Sequence, residues 1–288
     1  MKNKPIIKKK TFLDKFFIKL IRKLGYEIID QANLHIPFKS LEANKNLSES
    51  GKQSISIPLG KTEIKRKVKS LTIIIRSYTF GDVGSGKVML DQNKNRVFDL
   101  PKIEYTLRTI KSVVKSCEIA KEYFKDIDIK IIITDDKSSK ENLDKITQVL
   151  KTSNLKTELI NLKENEFNDQ IKKVDTDGKD ISKNMVSNMR NLFKSIKIAE
   201  TEDADLFYFL EDDYIHTRDA ITEMLFTYEK ISTQLNQELF LCPADYPYLY
   251  SSIDNSKIFF GNMRHWRSVN ETLITFLTSK KMINKYLD

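Results

Sequence analysis

The sequence is poor in cysteine and lacks long hydrophobic runs, and both features exclude classes of protein. Cys117 and Cys242 are the only cysteines among the 288 residues. Both lie in apolar patterns, so we expect two buried free thiols, which indicates a reducing cytoplasm rather than a disulfide-bonded secreted domain. No stretch approaches the roughly 18 consecutive apolar residues of a membrane-spanning helix. Lysines interrupt the apolar positions of the basic start, which argues against a signal peptide.

The chain is rich instead in hydrophobic and basic residues. Its hydrophobic content of 40%, with 10% aromatics, is that of a globular protein. Its length suits one main domain with an appendage. The net charge of +9 favours anionic partners such as phosphates, nucleotides or an acidic membrane surface. No nucleic-acid-binding module is recognisable, so we expect no nucleic-acid partner from charge alone.

Residues 1–68 are predicted to form an arm in front of the main domain. Residues 11–24 carry apolar side chains at helical spacing, with lysines on the other face, and Gly25 is placed to end the helix. Such a helix either lies on an anionic membrane surface or packs on protein. Residues 36–68 are rich in lysine, serine, proline and glycine and are predicted to be a linker, so residues 69–288 form the main domain.

The main domain alternates predicted strands with predicted helices. This alternation predicts an α/β fold with a doubly wound, mainly parallel sheet, similar to a Rossmann fold. Thr217 is predicted to cap a further helix, and the tail 272–287 is predicted to be helical. Strands are predicted at residues 71–76, 127–134, 157–162 and 206–210, and helices are also predicted at residues 101–124, 140–151 and 182–200.

One predicted strand runs directly into three consecutive acids, Glu211, Asp212 and Asp213. Neighbouring carboxylates repel one another unless a cation or solvent compensates their charge. Ligands bind at the carboxyl ends of strands in open α/β sheets. Mg²⁺ and Mn²⁺ favour oxygen ligands from a few carboxylates and from substrate phosphates, so Glu211 and Asp213 are candidate metal ligands. A solvated acidic loop that begins the next helix is the alternative.

Two other segments of the predicted α/β core offer polar candidates. A second buried strand ends in Asp135 and Asp136, which either contact a nucleoside or belong to an ordinary capped turn. The predicted helix 182–200 carries Asn184, Asn188 and Arg190, whose side chains either hydrogen-bond to a sugar or diphosphate or face solvent.

The last fifty residues combine aromatic rings with charged side chains. Asp245 lies in a loop with Tyr246 and Tyr248, whose rings stack on sugars or simply pack. A predicted strand from Ile258 delivers His265, which by default is structural but is here a candidate third metal ligand. The flanking candidates for acceptor or diphosphate contact are Arg264, Trp266 and Arg267.

Residues 81–87 match the spacing of a phosphate-binding P-loop, with glycine, four residues, glycine and lysine. Val88 stands where that motif needs a hydroxyl, and the residues that follow are a poor helix start. A P-loop phosphotransferase is therefore the weaker alternative.

In their order along residues 70–270, these motifs resemble the GT-A glycosyltransferases, particularly the large family 2-like group. Residues 134–139 are similar to that family's nucleotide-binding acid turn, and residues 209–213 to its metal-binding DXD motif with Glu211 for the first Asp. The resemblance implies a nucleoside-diphosphate sugar donor and a Mn²⁺ or Mg²⁺ cofactor across its diphosphate. It also implies transfer to an acceptor hydroxyl, for which we expect inversion at the anomeric carbon, with retention as the open alternative. A glycan or lipid-linked acceptor in cell-surface glycan assembly fits the basic amphipathic start.

The resemblance also implies roles for individual residues. Asp135 and Asp136 would contact the nucleoside, and Glu211, Asp213 and His265 would hold the metal. The family's downstream Gln/Arg-x-x-Arg-Trp segment is only echoed by residues 263–266, which leaves the general base open, with Asp245 as our candidate. The remaining candidate donor contacts are Arg76, Asn184, Asn188, Arg190 and Asp212.

A cytoplasmic protein, peripheral on the inner membrane face, fits the basic amphipathic start. The alternative from another class is a non-catalytic protein that binds nucleotide sugars or docks on membranes, with the acids merely beginning helices.

Overall fold

The structure is a computed structural model, and it describes residues 11–26, 54–57, 60–79, 100–171, 174, 178, 180–250 and 255–286. The chain divides into two compact units. One comprises residues 1–47 and 54–63, and the other comprises residues 48–53 and 64–288.

In the first unit, the described residues form one helix and one strand pair. Helix α1, Phe12–Lys23, confirms the helix predicted at residues 11–24. Its start is fixed by a capping box in which the Thr11 hydroxyl accepts from Asp14 N and the Asp14 carboxylate accepts from Thr11 N. Strands β1, Ser54–Ile57, and β2, Gly60–Glu63, form an antiparallel pair.

The second unit is built on a six-stranded sheet. Its strand order is β5-β4-β3-β6-β10-β7, in which β3, β4, β5 and β6 are parallel and β10 is antiparallel to both of its neighbours. The strands are β3 (Ser70–Ser77), β4 (Asp128–Asp135), β5 (Lys156–Asn161), β6 (Leu206–Glu211), β7 (Phe240–Leu241) and β10 (Phe276–Ser279). The helices are α2 (Lys102–Tyr123), α3 (Lys140–Lys151), α4 (Lys183–Thr201), α5 (Ala220–Leu235) and α6 (Lys280–Tyr286).

Alternating side chains of the central strands build a core on each face of the sheet. Ile73 and Ile75 of β3 join the larger core with α2, α3 and α5, whereas Ile74 joins the smaller core with α4 and α6. Burial on both faces explains why these strands are continuous apolar runs. The predicted α/β fold with a doubly wound, mainly parallel sheet is confirmed.

The C-terminal tail was predicted incorrectly as one helix. Residues Phe276–Ser279 form strand β10, which pairs with residues 206–209 of β6, and only Lys280–Tyr286 form helix α6. Sheet pairing and the complete burial of Leu277 outweigh local helix preference in this segment.

Three smaller predictions also need correction. The predicted strand from Ile258 is a hairpin of β8, Ile258–Phe260, and β9, His265–Arg267. Helix α5 begins after Asp219 rather than at Thr217, because the backbone turns once more before the helix. Cys117 is buried as predicted, whereas Cys242 is only half-buried, and both thiols are free.

Residues 81–87, the stretch similar to a P-loop, lie outside the described residues. Among the helices that the structure does describe, none is long and apolar enough to cross a membrane.

Candidate active site at the carboxyl end of the sheet

The strand order of the sheet reverses between β3 and β6, which makes this position a topological switch point. From β3 the chain adds β4 and then β5 on one side, and it returns to place β6 on the other side of β3. Open α/β sheets bind ligands in the crevice at this switch point. The parallel register sets Arg76, near the end of β3, directly beside Glu211, the last residue of β6.

Arg76 is a buried guanidinium with too few partners. Its Nη2 lies 3.0 Å from Oε1 of Glu211. Even so, Nε, Nη1 and Nη2 make no well-aligned hydrogen bond within the described part of the chain. Burial lowers the pKa of Arg76, an effect that the nearby Glu211 and Asp212 oppose. Buried N–H groups are rarely left unsatisfied, so this one indicates a site that receives a further acceptor.

Glu211 and Asp213 are the accessible acids of the triplet. The Glu211 side chain is 35% exposed, and that of Asp213 is 42% exposed. Burial, followed by repulsion from Asp213 and Asp212, raises the pKa of Glu211, while Arg76 and Lys102 oppose the change. Carboxylate oxygens of both residues are therefore accessible to a ligand that enters from solvent.

Asp212 has a different environment from its two neighbours. It is buried, and it accepts hydrogen bonds from Thr106 Oγ1 at 2.7 Å and from the backbone nitrogen of Tyr78 at 3.3 Å. Lys102 Nζ lies 2.7 Å from Asp212 and 3.4 Å from Asp213. Asp212 thus joins β6 to α2 and to the end of β3, and its predicted contact with a donor stays a prediction.

Lys102 was missed by the sequence analysis. It lies in the first turn of α2, where nothing in the local pattern marks it, and only the tertiary structure brings it to the acids. With Arg76 it provides two positive charges beside three carboxylates.

The acids provide only part of the ligand set that a divalent ion needs. Among the described residues, no three His, Cys, Asp or Glu side chains are grouped so that they could hold a metal. His265 lies on β9, where its ring centroid is 5.2 Å from that of Phe260, and it is not part of such a group within the described residues. Two carboxylates suit Mg²⁺ or Mn²⁺ when substrate phosphates complete the coordination.

Asp135 and Asp136, at the end of β4, are both buried and both satisfied by the protein. Asp135 accepts hydrogen bonds from the backbone nitrogen and hydroxyl of Ser138, at 3.0 and 2.6 Å. Burial raises the pKa of Asp135. Asp136 accepts from Ser187 Oγ at 2.5 Å and pairs with Arg190 Nη1 at 3.3 Å. Their contact with a nucleoside stays a prediction.

The polar residues of α4 hold neighbouring loops in place. Arg190 donates to the carbonyl oxygens of Glu166, at 2.8 Å, and Lys163, at 2.7 Å. Asn191 of the same helix donates to the carbonyl oxygens of Ser77, at 2.9 Å, and Thr134, at 3.1 Å. Asn188 is half-buried, and the side chain of Asn184 lies outside the described residues.

Glu223 is a second residue that sequence reasoning missed. This buried carboxylate on α5 fixes the β8–β9 turn. The donors to Glu223 are Asn262 N (3.0 Å), Met263 N (2.7 Å), Trp266 Nε1 (3.0 Å) and Thr227 Oγ1 (3.1 Å). A Cβ atom at Gly261 would lie 2.4 Å from Glu223 Oε1 and 2.6 Å from Trp266 Cδ1, so only glycine fits there. Trp266, predicted to touch the acceptor or diphosphate, is thus also an anchor of the hairpin.

Asp245 has the environment of an ion pair rather than of a base. It accepts from Tyr250 Oη at 2.5 Å and pairs with Arg267 Nη2 at 3.0 Å. These two partners, Tyr250 first, lower the pKa of Asp245. A low pKa weakens a carboxylate as a proton acceptor. The role of Asp245 as general base stays a prediction that these contacts do not favour.

A cavity of about 620 Å³ lies beside this ion pair. Its wall combines the charged groups of Asp245 and Arg267 with aromatic rings, including those of Tyr250, Phe259 and Trp266. His265 also contributes to this wall. Aromatic faces with a few polar groups are typical of sites that take sugar rings.

A smaller cavity, of about 270 Å³, is lined in part by Tyr214, His216 and Trp266. Tyr214 follows directly after the acids, and its hydroxyl lies 2.9 Å from that of Tyr246, which connects the Asp245 loop to the acid triplet. His216 Nε2 lies 2.9 Å from Tyr208 Oη, and burial lowers the pKa of His216 to about 4.

The structure places the two remaining predicted contacts as follows. Arg264, which also lines the smaller cavity, pairs with Asp219 at 3.0 Å. The side chain of Tyr248 lies outside the described residues.

No protein-family model matches the chain, and a search of curated proteins returned no match. Among solved structures, the chain is similar to S. aureus TarS, with 8% identity over 56% of this chain and 20% of that chain and a TM-score of 0.31. Against TarS residues 1–349, the identity is 7% over 75% of this chain, with a TM-score of 0.38. The chain covers 48% of that structure. Both scores are too low to assign a function.

Proposed function

We propose that this protein is a glycosyltransferase that moves a sugar from a nucleoside-diphosphate donor to a hydroxyl group of an acceptor. One observation carries the proposal. At the switch point of a parallel sheet, a buried arginine with unsatisfied N–H groups lies beside two accessible carboxylates, Glu211 and Asp213. A diphosphate supplies the missing acceptor atoms, and a divalent ion would join that diphosphate to the carboxylates.

The charges at this site suit the departure of a diphosphate. When the bond between the anomeric carbon and the diphosphate oxygen breaks, that oxygen takes the electron pair and gains negative charge. Arg76 and Lys102 stabilise this charge more in the transition state than in the ground state. Glu211 and Asp213 would hold Mn²⁺ or Mg²⁺, which when bound supplies further stabilisation of the leaving group as a Lewis acid.

We assign the acceptor to the 620 Å³ cavity with its aromatic wall. The acceptor would be a glycan or a lipid-linked glycan whose rings stack on this wall. In an inverting reaction, a base takes the proton of the acceptor hydroxyl as its oxygen attacks the anomeric carbon from the face opposite the diphosphate. We extend the proposal to a cytoplasmic setting, which two unpaired cysteines support.

The first test is a thermal-shift titration with UDP, GDP, CDP, ADP and their sugars, with and without Mn²⁺. A ligand that binds the folded state raises the unfolding midpoint by mass action. We expect a metal-dependent rise with one nucleotide, and its loss in Asp213→Asn. The matched control is Asp126→Asn, an exposed acid before β4 at the opposite end of the sheet, which should bind as the wild type does.

Two results would contradict the proposal. If no nucleotide shifts the midpoint of well-folded protein, the acids are ordinary helix starts. If a nucleotide sugar binds but no nucleoside diphosphate is released in the presence of any glycan acceptor tested, the protein is a non-catalytic binder.

A further inference from the structure

Helix α1 carries large apolar side chains that are exposed within the described part of the chain. Its large side chains Phe12, Leu13, Phe16, Phe17 and Leu20 are between 45% and 83% exposed, and no residue of the helix is buried. At about 100° per residue these five positions span an arc of roughly 140° on one side. A folded helix, fixed at its start by a capping box, therefore holds a continuous apolar stripe towards solvent.

The positive charge of the chain is concentrated around this helix. Residues 1–25 contain nine lysines and arginines and one acid, Asp14, which gives them +8 of the net charge of +9. The remaining residues 26–288 are therefore almost neutral. At about 100° per residue, Lys15 and Lys19 lie roughly 60° and 20° beyond the Phe12 edge of the apolar stripe, so they flank it.

We propose that α1 docks the protein on an anionic lipid surface, with the helix parallel to the membrane plane and its apolar stripe in the headgroup region. An apolar stripe with lysine-rich flanks is the pattern of helices that bind at the membrane interface. Twelve residues span about 18 Å, well short of the roughly 30 Å hydrocarbon core, so α1 lies on the bilayer and does not cross it.

The positive charge around α1 favours an anionic lipid surface over two other partners, a second copy of this chain and nucleic acid. Two copies of this chain would bring +8 against +8, which opposes pairing through α1. Nucleic acid offers phosphates for the lysines, but it has no apolar phase for two adjacent phenylalanines. An anionic bilayer satisfies both halves of the helix, since each basic residue near its surface is attracted and each apolar side chain leaves water.

The test is co-sedimentation of the full chain with two kinds of vesicle, neutral phosphatidylcholine and phosphatidylcholine with about 30% phosphatidylglycerol. We expect binding to the anionic vesicles and its decline between about 0.1 and 0.5 M salt. The double change Phe16→Ser, Phe17→Ser should lower the partition coefficient at least about tenfold. Lys15→Glu, Lys19→Glu should have a similar effect at low salt.

Matched controls separate docking from general surface effects. Phe260→Ser removes a ring that is 75% exposed on β8, and Lys121→Glu, Lys125→Glu makes the same charge change at the end of α2. Both should bind vesicles as the wild type does, and circular dichroism should show that every variant is folded. The docking proposal is wrong if the wild type binds neither vesicle, binds both equally, or keeps its binding after the Phe16 and Phe17 changes. Sedimentation velocity that shows a dimer abolished by those changes would assign the stripe to a second copy instead.

Discussion

Replacing Arg76 by methionine would separate the role of this residue in binding from its role in folding. Methionine has a similar length and no polar atoms, so it removes three buried nitrogens that lack aligned acceptors. Each unsatisfied buried polar group costs about 1–3 kcal/mol of stability. The substitution relieves a cost of that order.

The opposing effect is the loss of the 3.0 Å ion pair with Glu211. Removing one partner of a fully buried pair costs about 3–5 kcal/mol. Glu211 is about one third exposed and is also close to Lys102, so water and that lysine compensate much of its charge. We expect Arg76→Met to lower the free energy of unfolding by only about 1–2 kcal/mol at pH 7. The double variant Arg76→Met, Glu211→Gln should recover most of this loss.

The loss should depend on pH in a definite direction. In the wild type, burial already raises the pKa of Glu211, and Arg76 acts against that rise, so its removal raises the pKa of Glu211 further. The folded state then binds a proton more readily than the unfolded state, and stability falls as the pH rises above the unfolded value near 4.3. The difference between Arg76→Met and wild type should therefore be smaller at pH 5 than at pH 7.

Urea unfolding at both pH values, followed by circular dichroism, measures these differences as midpoint shifts at constant slope. Thermal shifts with nucleoside diphosphates measure binding on the same variants, and we expect the shift to disappear in Arg76→Met. A loss above about 5 kcal/mol that is equal at both pH values would refute the assumed environment of Arg76. An unchanged nucleotide shift would remove Arg76 from the donor site.

Three further predictions test the supporting structure. Gly261→Ala should lower the free energy of unfolding by about 2–4 kcal/mol, because the added Cβ overlaps the Glu223 carboxylate. It should also shift the fluorescence of the single tryptophan, Trp266, to longer wavelength, and an unchanged urea midpoint would contradict the packing described. Asp245→Asn should leave the urea midpoint nearly unchanged, because the side chain is exposed. Loss of turnover with intact donor binding would support the predicted role of Asp245 as general base, and normal turnover would exclude that role. Folding lowers the pKa of His216 from 6.5 to about 4, so as the pH falls the unfolded state binds the proton first. Wild-type stability should therefore decrease by up to about 3 kcal/mol as the pH falls from 6.5 to about 4, and urea titrations of His216→Gln should lack this decrease.

The strands of the sheet core were predictable because their environment is uniform. Strands β3, β4 and β6 are buried on both faces, so each must be a continuous apolar run, and such runs are visible without any knowledge of neighbours. The acids at the end of β6 were visible for the same reason, since charge next to a buried apolar run is conspicuous. Strand β10 was not visible, because its preference for sheet arises from pairing with β6, about seventy residues earlier in the chain.

The roles of individual site residues were less predictable than the place of the site. Asp212 looks equivalent to its two neighbours in the sequence, yet it alone is buried against Thr106 and Lys102. Glu223 resembles any exposed helical glutamate until the β8–β9 turn folds onto it. Hydrogen-bond partners of this kind come from distant parts of the chain and leave no local pattern.

Periodicity and neighbouring charge are enough to predict the alternation of strands and helices, the acid triplet and the amphipathic helix α1. The tertiary structure, by contrast, sets which carboxylates remain accessible, brings Lys102 to the acids and buries Arg76 beside Glu211. These properties follow from strand order and register, which bring together residues more than a hundred positions apart, and local composition does not encode such distances.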